Sequence, residues 1–263
     1  MTAFSTLYGR LLDQELGTED STVLFTTARR QAAVNDGQRE FAELTECLIR
    51  VSTVTVTGGT GEYDLHSTAV IADQDFVRLA GDQPVEFHYT DASSFTQYLA
   101  GEDLPERTVR WLDQYEPGWR DSTTVSSGAQ TPRVFYQRAA GGSWYLGFYP
   151  VPSTGSSASA KALVPYVAWP ADLTSDTQEP FTVASGVRYD LRPYHQGLVH
   201  YAAHQLEKLR RDDQAADRQL QKFLGYVSRY VQALRKKGGS TLTFARQYFR
   251  QRVGVVEGKD PRT

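Results

Sequence analysis

His200 and His204 come nearest to metal chemistry in this sequence, because two histidines four residues apart on a helix can both face one ion, and His195 lies just upstream. Position 201 is Tyr where a zinc protease needs its general-base Glu, and no third ligand is identifiable, so packing is the reading these histidines favour. Asp212, Asp213 and Asp217 form the densest carboxylate group in that region. Adjacent residues diverge on a helix, and Arg210, Arg211 and Arg218 offset the charge, so a bend with an N-cap explains them more simply. Residues 58–61 are glycine-rich but run into strand-type residues rather than a helix N-terminus, which makes them a hairpin loop and not a phosphate cradle. There is no G-x-S-x-G, no Walker loop and no dinucleotide fingerprint. Trp144, Tyr145, Phe148 and Tyr149, with Trp169, could offer flat faces to a sugar or a base, although alternating burial in a sheet is the commoner cause of such a run. The sequence therefore predicts no enzyme, no metal and no cofactor.

Charge and aromatic residues point elsewhere. The 263 residues carry 28 Lys and Arg against 31 Asp and Glu, a formal charge of −3, which disfavours a wholly basic nucleic-acid binder. Yet nine basic residues and no acid fall in residues 218–256: Arg218, Lys222, Arg229, Arg235, Lys236, Lys237, Arg246, Arg250 and Arg252. That segment is +9, so the rest of the chain is −12. An acidic body with a basic, aromatic end suits attachment to a negatively charged partner surface, since long-range attraction sets orientation before contact. Leu242, Phe244, Tyr248 and Phe249 alternate with Arg246, Arg250 and Arg252, and such rings need burial against something. Arg229, Arg235, Lys236 and Lys237 read either as a subunit or partner contact or as a solvated helix face.

The elements that must position these residues divide the chain. Phe4, Leu7, Tyr8, Leu11, Leu12 and Leu16 recur at helical spacing, predicting a helix over residues 5–16 with Thr2 or Ser5 as N-cap and Gly17 past its end. A second series from Leu24 through Val34, Phe41 and Leu48 keeps helical phase across Asn35, Asp36 and Gly37; a split there is possible, and a continuous helix is preferred. From Val51 the β-branched run VSTVTVT begins a hairpin, and residues 69–71, 76–79, 85–89, 133–137, 144–149 and 163–168 are further strand candidates. Residues 92–99 read as a short helix capped by Asp91, and residues 121–130 and 153–159 as surface loops. Helical spacing returns after Pro193 through Leu234, bending at Arg211, Asp212 and Asp213 and ending at Gly238 and Gly239. The expected fold is α+β: a discontinuous helical bundle (residues 1–49 and 193–237), a β-rich, sandwich- or barrel-like insertion (residues 50–192) and an extended C-terminal arm (residues 238–263). One cysteine, Cys47, excludes a disulfide-stapled scaffold. No stretch approaches the ~20 apolar residues of a membrane span, and Arg10, Asp13 and Glu15 interrupt any signal peptide, so a mature cytosolic start and no membrane partner are expected.

Five segments taken in order resemble one known family, the head-to-tail adaptor (head completion, connector) proteins of tailed bacteriophages. They are ARRQAAVNDG at residues 28–37, GEYDL at 61–65, WYLGFYPVP at 144–152 with its Pro-x-Pro ending, VPYVAWPADL at 164–173, and PYHQGLVHYAA at 193–203. The resemblance implies a structural virion protein of the neck, assembled in the host cytoplasm as a homo-oligomeric ring beneath the portal, a dodecamer matching it. Such a ring would join the capsid vertex to a downstream tail or neck protein and continue the DNA channel. It implies a C-terminal arm that binds the portal through Leu242, Phe244, Arg246, Tyr248, Phe249, Arg250 and Arg252. Two other classes stay open: a sequence-nonspecific DNA binder using the basic segment, whose affinity would fall steeply with salt, and a glycan- or receptor-binding module using the aromatic β block.

Overall fold

The computed structural model describes residues 3–16, 25–81, 85–90, 96–98, 104–121, 132–152, 159–183, 186 and 189–236. The chain is α+β and divides into two compact units: Met1–Leu48 with Ala168–Thr263, and Ile49–Val167. Among the described residues there are five α-helices and two sheets, and neither sheet closes into a barrel.

The first unit is helical. Helix α1 (Phe4–Arg10) runs into a π-helical turn (Leu11–Leu16), burying Phe4, Leu7 and Leu11. No side chain caps α1; instead the Phe4 and Ser5 amides donate to the Gln178 and Asp176 carbonyls, which satisfies two of the four orphan donors of a helix start. Helix α2 (Thr27–Thr45) passes unbroken through Asn35, Asp36 and Gly37. A Cβ on Gly37 would stand 3.3 Å from the Leu198 carbonyl oxygen and 3.4 Å from Tyr201, so the glycine is there for a close helix crossing and not for a turn. Helix α4 (His195–Arg210) packs against α2 and against α5 (Asp213–Lys236). The expected bend lies between them: Arg211 takes a left-handed φ of 64°, and Asp212 Oδ1 accepts the Ala215 amide at 2.9 Å as N-cap. Phe41 is the centre of the core, its ring 5.4 Å from Phe181, 5.9 Å from Tyr194, 5.8 Å from Tyr230 and 6.2 Å from Phe223.

The chain leaves this unit at Leu48 and returns at Ala168, whose amide donates to the Leu48 carbonyl at 2.9 Å. Two amide side chains on α2 fix the returning segment. Asn35 accepts the Leu173 amide at 2.9 Å and donates to the Leu173 carbonyl at 3.2 Å. The fully buried Gln38 donates to the Ala171 carbonyl at 2.9 Å and accepts the Phe181 amide at 3.2 Å. Both groups are thereby paid in hydrogen bonds for their burial.

The second unit holds β1 (Ile49–Val56), β2 (Glu62–Asp64), β3 (Phe76–Leu79), β4 (Glu86–Thr90), β5 (Thr96–Tyr98), helix α3 (Val109–Tyr115), β6 (Val134–Ala140), β7 (Ser143–Tyr149) and β8 (Ser159–Ala168, whose last residue falls in the first unit). One sheet has the order β1-β8-β4-β5 with β3 also on β8; the other is β2-β7-β6. All named pairings with a given register are antiparallel, and Ile49 stands opposite Val167, so this unit begins and ends in adjacent strands. Val54 and Val56 of β1 are buried while Val51, Thr53 and Thr55 are exposed, the period-two pattern of a half-buried strand. Phe87 of one sheet and Phe148 of the other meet with ring centroids 5.8 Å apart.

Four expectations about elements need correction. The run from Val51 and residues 62–65 do not form a hairpin through residues 58–61: β1 pairs with β8 and β2 with β7, in different sheets. Residues 92–99 are not a helix where described: Thr96–Tyr98 pairs with β4, a place suited to β-branched and aromatic residues, while Asp91 lies outside the described residues. Residues 69–71 are turn, not strand, because the Ser67 carbonyl accepts the Val70 and Ile71 amides and Ser67 Oγ accepts the Ala69 amide. Helix α3, capped by Thr108 Oγ1 on the Trp111 amide at 3.1 Å, had not been expected. Thr2, Gly17, Leu24, the arm after Lys236 and nearly all of the two polar loops lie outside the described residues.

Candidate assembly surface

The basic helix anticipated from sequence is α5. Its buried side carries Ala216, Gln219, Phe223, Leu224 and Val227; its exposed side carries Arg218, Lys222, Gly225 and Arg229. The Arg218 Nε donates to the Gln214 carbonyl at 3.2 Å, and the Arg229 guanidinium lies 5.2 Å from the Tyr226 ring centroid, an arrangement that holds the charge at the surface without neutralising it. Nothing within 4 Å would meet a Cβ on Gly225, so the face is open at its middle. Arg235 and Lys236 occupy the last turn of α5, but their side chains, and Lys237, Leu242, Phe244, Arg246, Tyr248, Phe249, Arg250 and Arg252, lie outside the described residues.

The histidines hold this helix in place. Gln219 Nε2 donates to Glu15 Oε2, so its Oε1 is left to accept from His200 Nδ1 at 3.0 Å, which fixes the neutral ring with its proton on Nδ1. Glu15 Oε1 is 3.5 Å from the same nitrogen, and Lys222 Nζ donates to Glu15 Oε2 at 3.2 Å. Burial pushes the His200 imidazole below its ordinary range, against the opposing pull of Glu15. His204 Nδ1 donates to the Ala216 carbonyl at 2.9 Å. Each histidine thus spends its Nδ1 proton on α5, and together with Glu15 they bind the π-helical turn, α4 and α5 to one another. The sequence singled out His200, His204 and Lys222 but gave Glu15 and Gln219 no such role; an acid and an amide meet across a distance in the chain that no local spacing encodes.

In the β-rich unit a cavity of about 480 Å³ is lined by Gly59, Gly61, Glu62, Trp119, Arg120, Tyr136, Arg138 and Val151. Its charged side chains are each paired, Glu62 with Arg138 inside the lining and Arg120 with Asp113 outside it. Glu62 accepts from Arg138 and from the Tyr136 hydroxyl at 3.1 Å, and the Arg138 hydrogen bonds hold its carboxyl below the usual range. Arg120 lies 4.9 Å from the Trp119 ring and pairs with Asp113 at 2.9 Å. The aromatic run of β7 is not one exposed platform: Phe148 is buried against Tyr63 and Phe87, Tyr149 packs beside Leu112, Trp119, Val134 and Tyr136, and Trp144 is exposed. Trp169 belongs to the helical unit.

Among the described residues, no three or more His, Cys, Asp or Glu stand where they could hold a metal ion together, and no helix is long and apolar enough to cross a membrane. What the helical unit offers is a helical bundle whose α5 has a charged outer face. No curated protein matches this sequence. Residues 2–246 match the family described as SU10 adaptor protein. That match spans both ends of the helical unit and the whole β-rich unit between them, and it agrees with the phage-adaptor resemblance read from the sequence, so the chain belongs to the SU10 adaptor protein family, bacteriophage structural proteins of the virion.

Proposed function

We propose that this protein is a head-to-tail adaptor that forms a ring beneath the portal, joins the capsid vertex to the tail and continues the DNA channel. The observation that carries the proposal is the family match over residues 2–246 on a chain whose α5 has a basic outer face and continues into a basic sequence. In this reading the ring is a dodecamer in the virion neck, its partners are the portal, a downstream tail or neck protein and the DNA passing through, and it does no catalysis. The arm binds the portal: Leu242, Phe244, Tyr248 and Phe249 supply apolar area, and Arg246, Arg250 and Arg252 supply charge that steers the encounter. Arg229, Arg235, Lys236 and Lys237 make subunit or partner contacts from the end of α5.

Size exclusion with light scattering tests this on the purified protein, alone and mixed with portal rings from the same genome. A stoichiometric ring on the portal is the expected result, lost on deletion of residues 239–263 while the circular dichroism of the folded protein stays. Protein that ignores the portal but is retained on DNA at low salt would replace the adaptor reading with a nonspecific DNA-binding one.

A further inference from the structure

The helical unit carries a second charged face, of opposite sign to that of α5. Asp36 is exposed on α2, and the exposed residues Asp172 and Asp176 lie on the returning segment that Asn35 and Arg39 tie to that helix. Arg39 bridges Asp36 at 3.3 Å and also pairs with Asp172, so one cation serves two carboxylates. The Asp176 carboxylate accepts the neutral Tyr8 hydroxyl at 2.7 Å; the Arg30 guanidinium lies 5.7 Å from the centre of that ring, and no ion pair joins Asp176 to a cation among the described residues. On α5, neither Arg218 nor Arg229 meets a carboxylate among the described residues; one is satisfied by a backbone carbonyl and the other lies on an aromatic ring. Both helices turn their apolar sides to the same core, where Phe41 of α2 meets Phe223 and Tyr230 of α5. Within one copy no ion pair among the described residues joins Arg218 or Arg229 to Asp36, Asp172 or Asp176.

We propose that the basic flank of one copy, Arg218 and Arg229 of α5, docks on the acidic flank of a second copy, Asp36 of α2 with Asp172 and Asp176. Two different patches that fit each other make a heterologous contact, the kind that closes rings when repeated, whereas a self-complementary patch stops at a dimer. Opposite charge on the two flanks favours head-to-tail order and makes the two like-on-like pairings repulsive, so it sets the direction of the ring as well as its contact. The inference rests on the ring reading above and names the subunit interface within it.

Two half-reversed variants test it in ring assembly, on portal rings and without them at high protein concentration. The first, Arg218→Glu with Arg229→Glu, has acidic charge on both flanks; the second, Asp36→Lys with Asp176→Lys, has basic charge on both. All four positions are exposed, so unchanged thermal unfolding is expected for each. Either variant alone should lose ring assembly by about tenfold or more, and an equimolar mixture should regain it, because the copies can then alternate. Wild-type ring yield from either variant alone, or a mixture that assembles no better than its components, would overturn the proposal while leaving the ring itself standing. Wild-type protein that forms no ring under any condition would take down both readings together, and that control tells the two failures apart.

Discussion

The two units reach order by opposite means. The β-rich unit is one contiguous stretch whose strands pair by backbone ladders, β4–β5 and β6–β7 between consecutive strands and β1–β8, β2–β7 and β4–β8 across long separations, so its register follows from alternation along many ladder bonds. The helical unit is made of the two ends of the chain, and its helices, whose backbone groups are used up internally except at their ends, join through the backbone only at such places as the Phe4 and Ser5 amides and the Ala168–Leu48 bond. Most of the joining is done by side chains: Asn35 and Gln38 seize the returning segment, Glu15, Gln219 and His200 bind the π-helical turn, α4 and α5, and Phe41 fills the centre. The lesson is that a discontinuous unit concentrates its specificity in a few residues, and the contiguous one spreads it over many.

That contrast can be broken most strongly at Phe41. Replacing this fully buried ring by Ala should cost the helical unit about 3–5 kcal/mol, read in chemical denaturation. Hydrogen exchange should show protection falling in α2, α4 and α5 while the β6 and β7 amides hold theirs; equal loss in both units would mean that they do not differ as described. The converse substitution is Gly147→Ala. A Cβ there would stand 2.0 Å from the Tyr136 ring, so the strand or the ring must move, at a cost of about 1–3 kcal/mol. The exchange pattern should invert, with β6 and β7 opening first. Wild-type stability would show that the ring has room to swing aside.

The smallest effect sharpens the account of the polar cluster. Because burial lowers the His200 pKa in the fold, the unfolded chain binds more protons as pH falls through about 6.5, the ordinary histidine range. The stabilising contribution is complete above that range and declines below it. The midpoint of thermal unfolding should therefore fall between pH 7.5 and pH 5, and His200→Gln should flatten part of that fall. An unchanged slope would place the acid sensitivity elsewhere.

What the sequence allowed to be read divides along the same line. Helix α2 was legible through Asn35, Asp36 and Gly37 because apolar phase outlasted the turn-like triplet, and the α4–α5 bend was legible because Asp212 has the side chain of an N-cap. The strands β3, β4, β6, β7 and β8 were legible from β-branched and aromatic runs. Residues 92–99 misled because a short window holding Phe95, Tyr98 and Leu99 fits helical spacing about as well as strand spacing. The basic face of α5 was visible as a charge run, Arg229 among it. Its acidic counterpart was not, since Asp36 and Asp176 are far apart in sequence and only the returning segment brings them to one flank.

The hydrogen bond from Ala168 to Leu48 has a consequence for biosynthesis. As the chain leaves the ribosome, α2 emerges with Val34, Phe41 and Leu44 still waiting for helices that are translated only after the entire β-rich unit. Domains complete as their sequence becomes available, so the stretch that interrupts the helical unit is finished before the unit it interrupts. The apolar side of α2 then stays uncovered through that stretch of translation, until α4 and α5 arrive to pack on it.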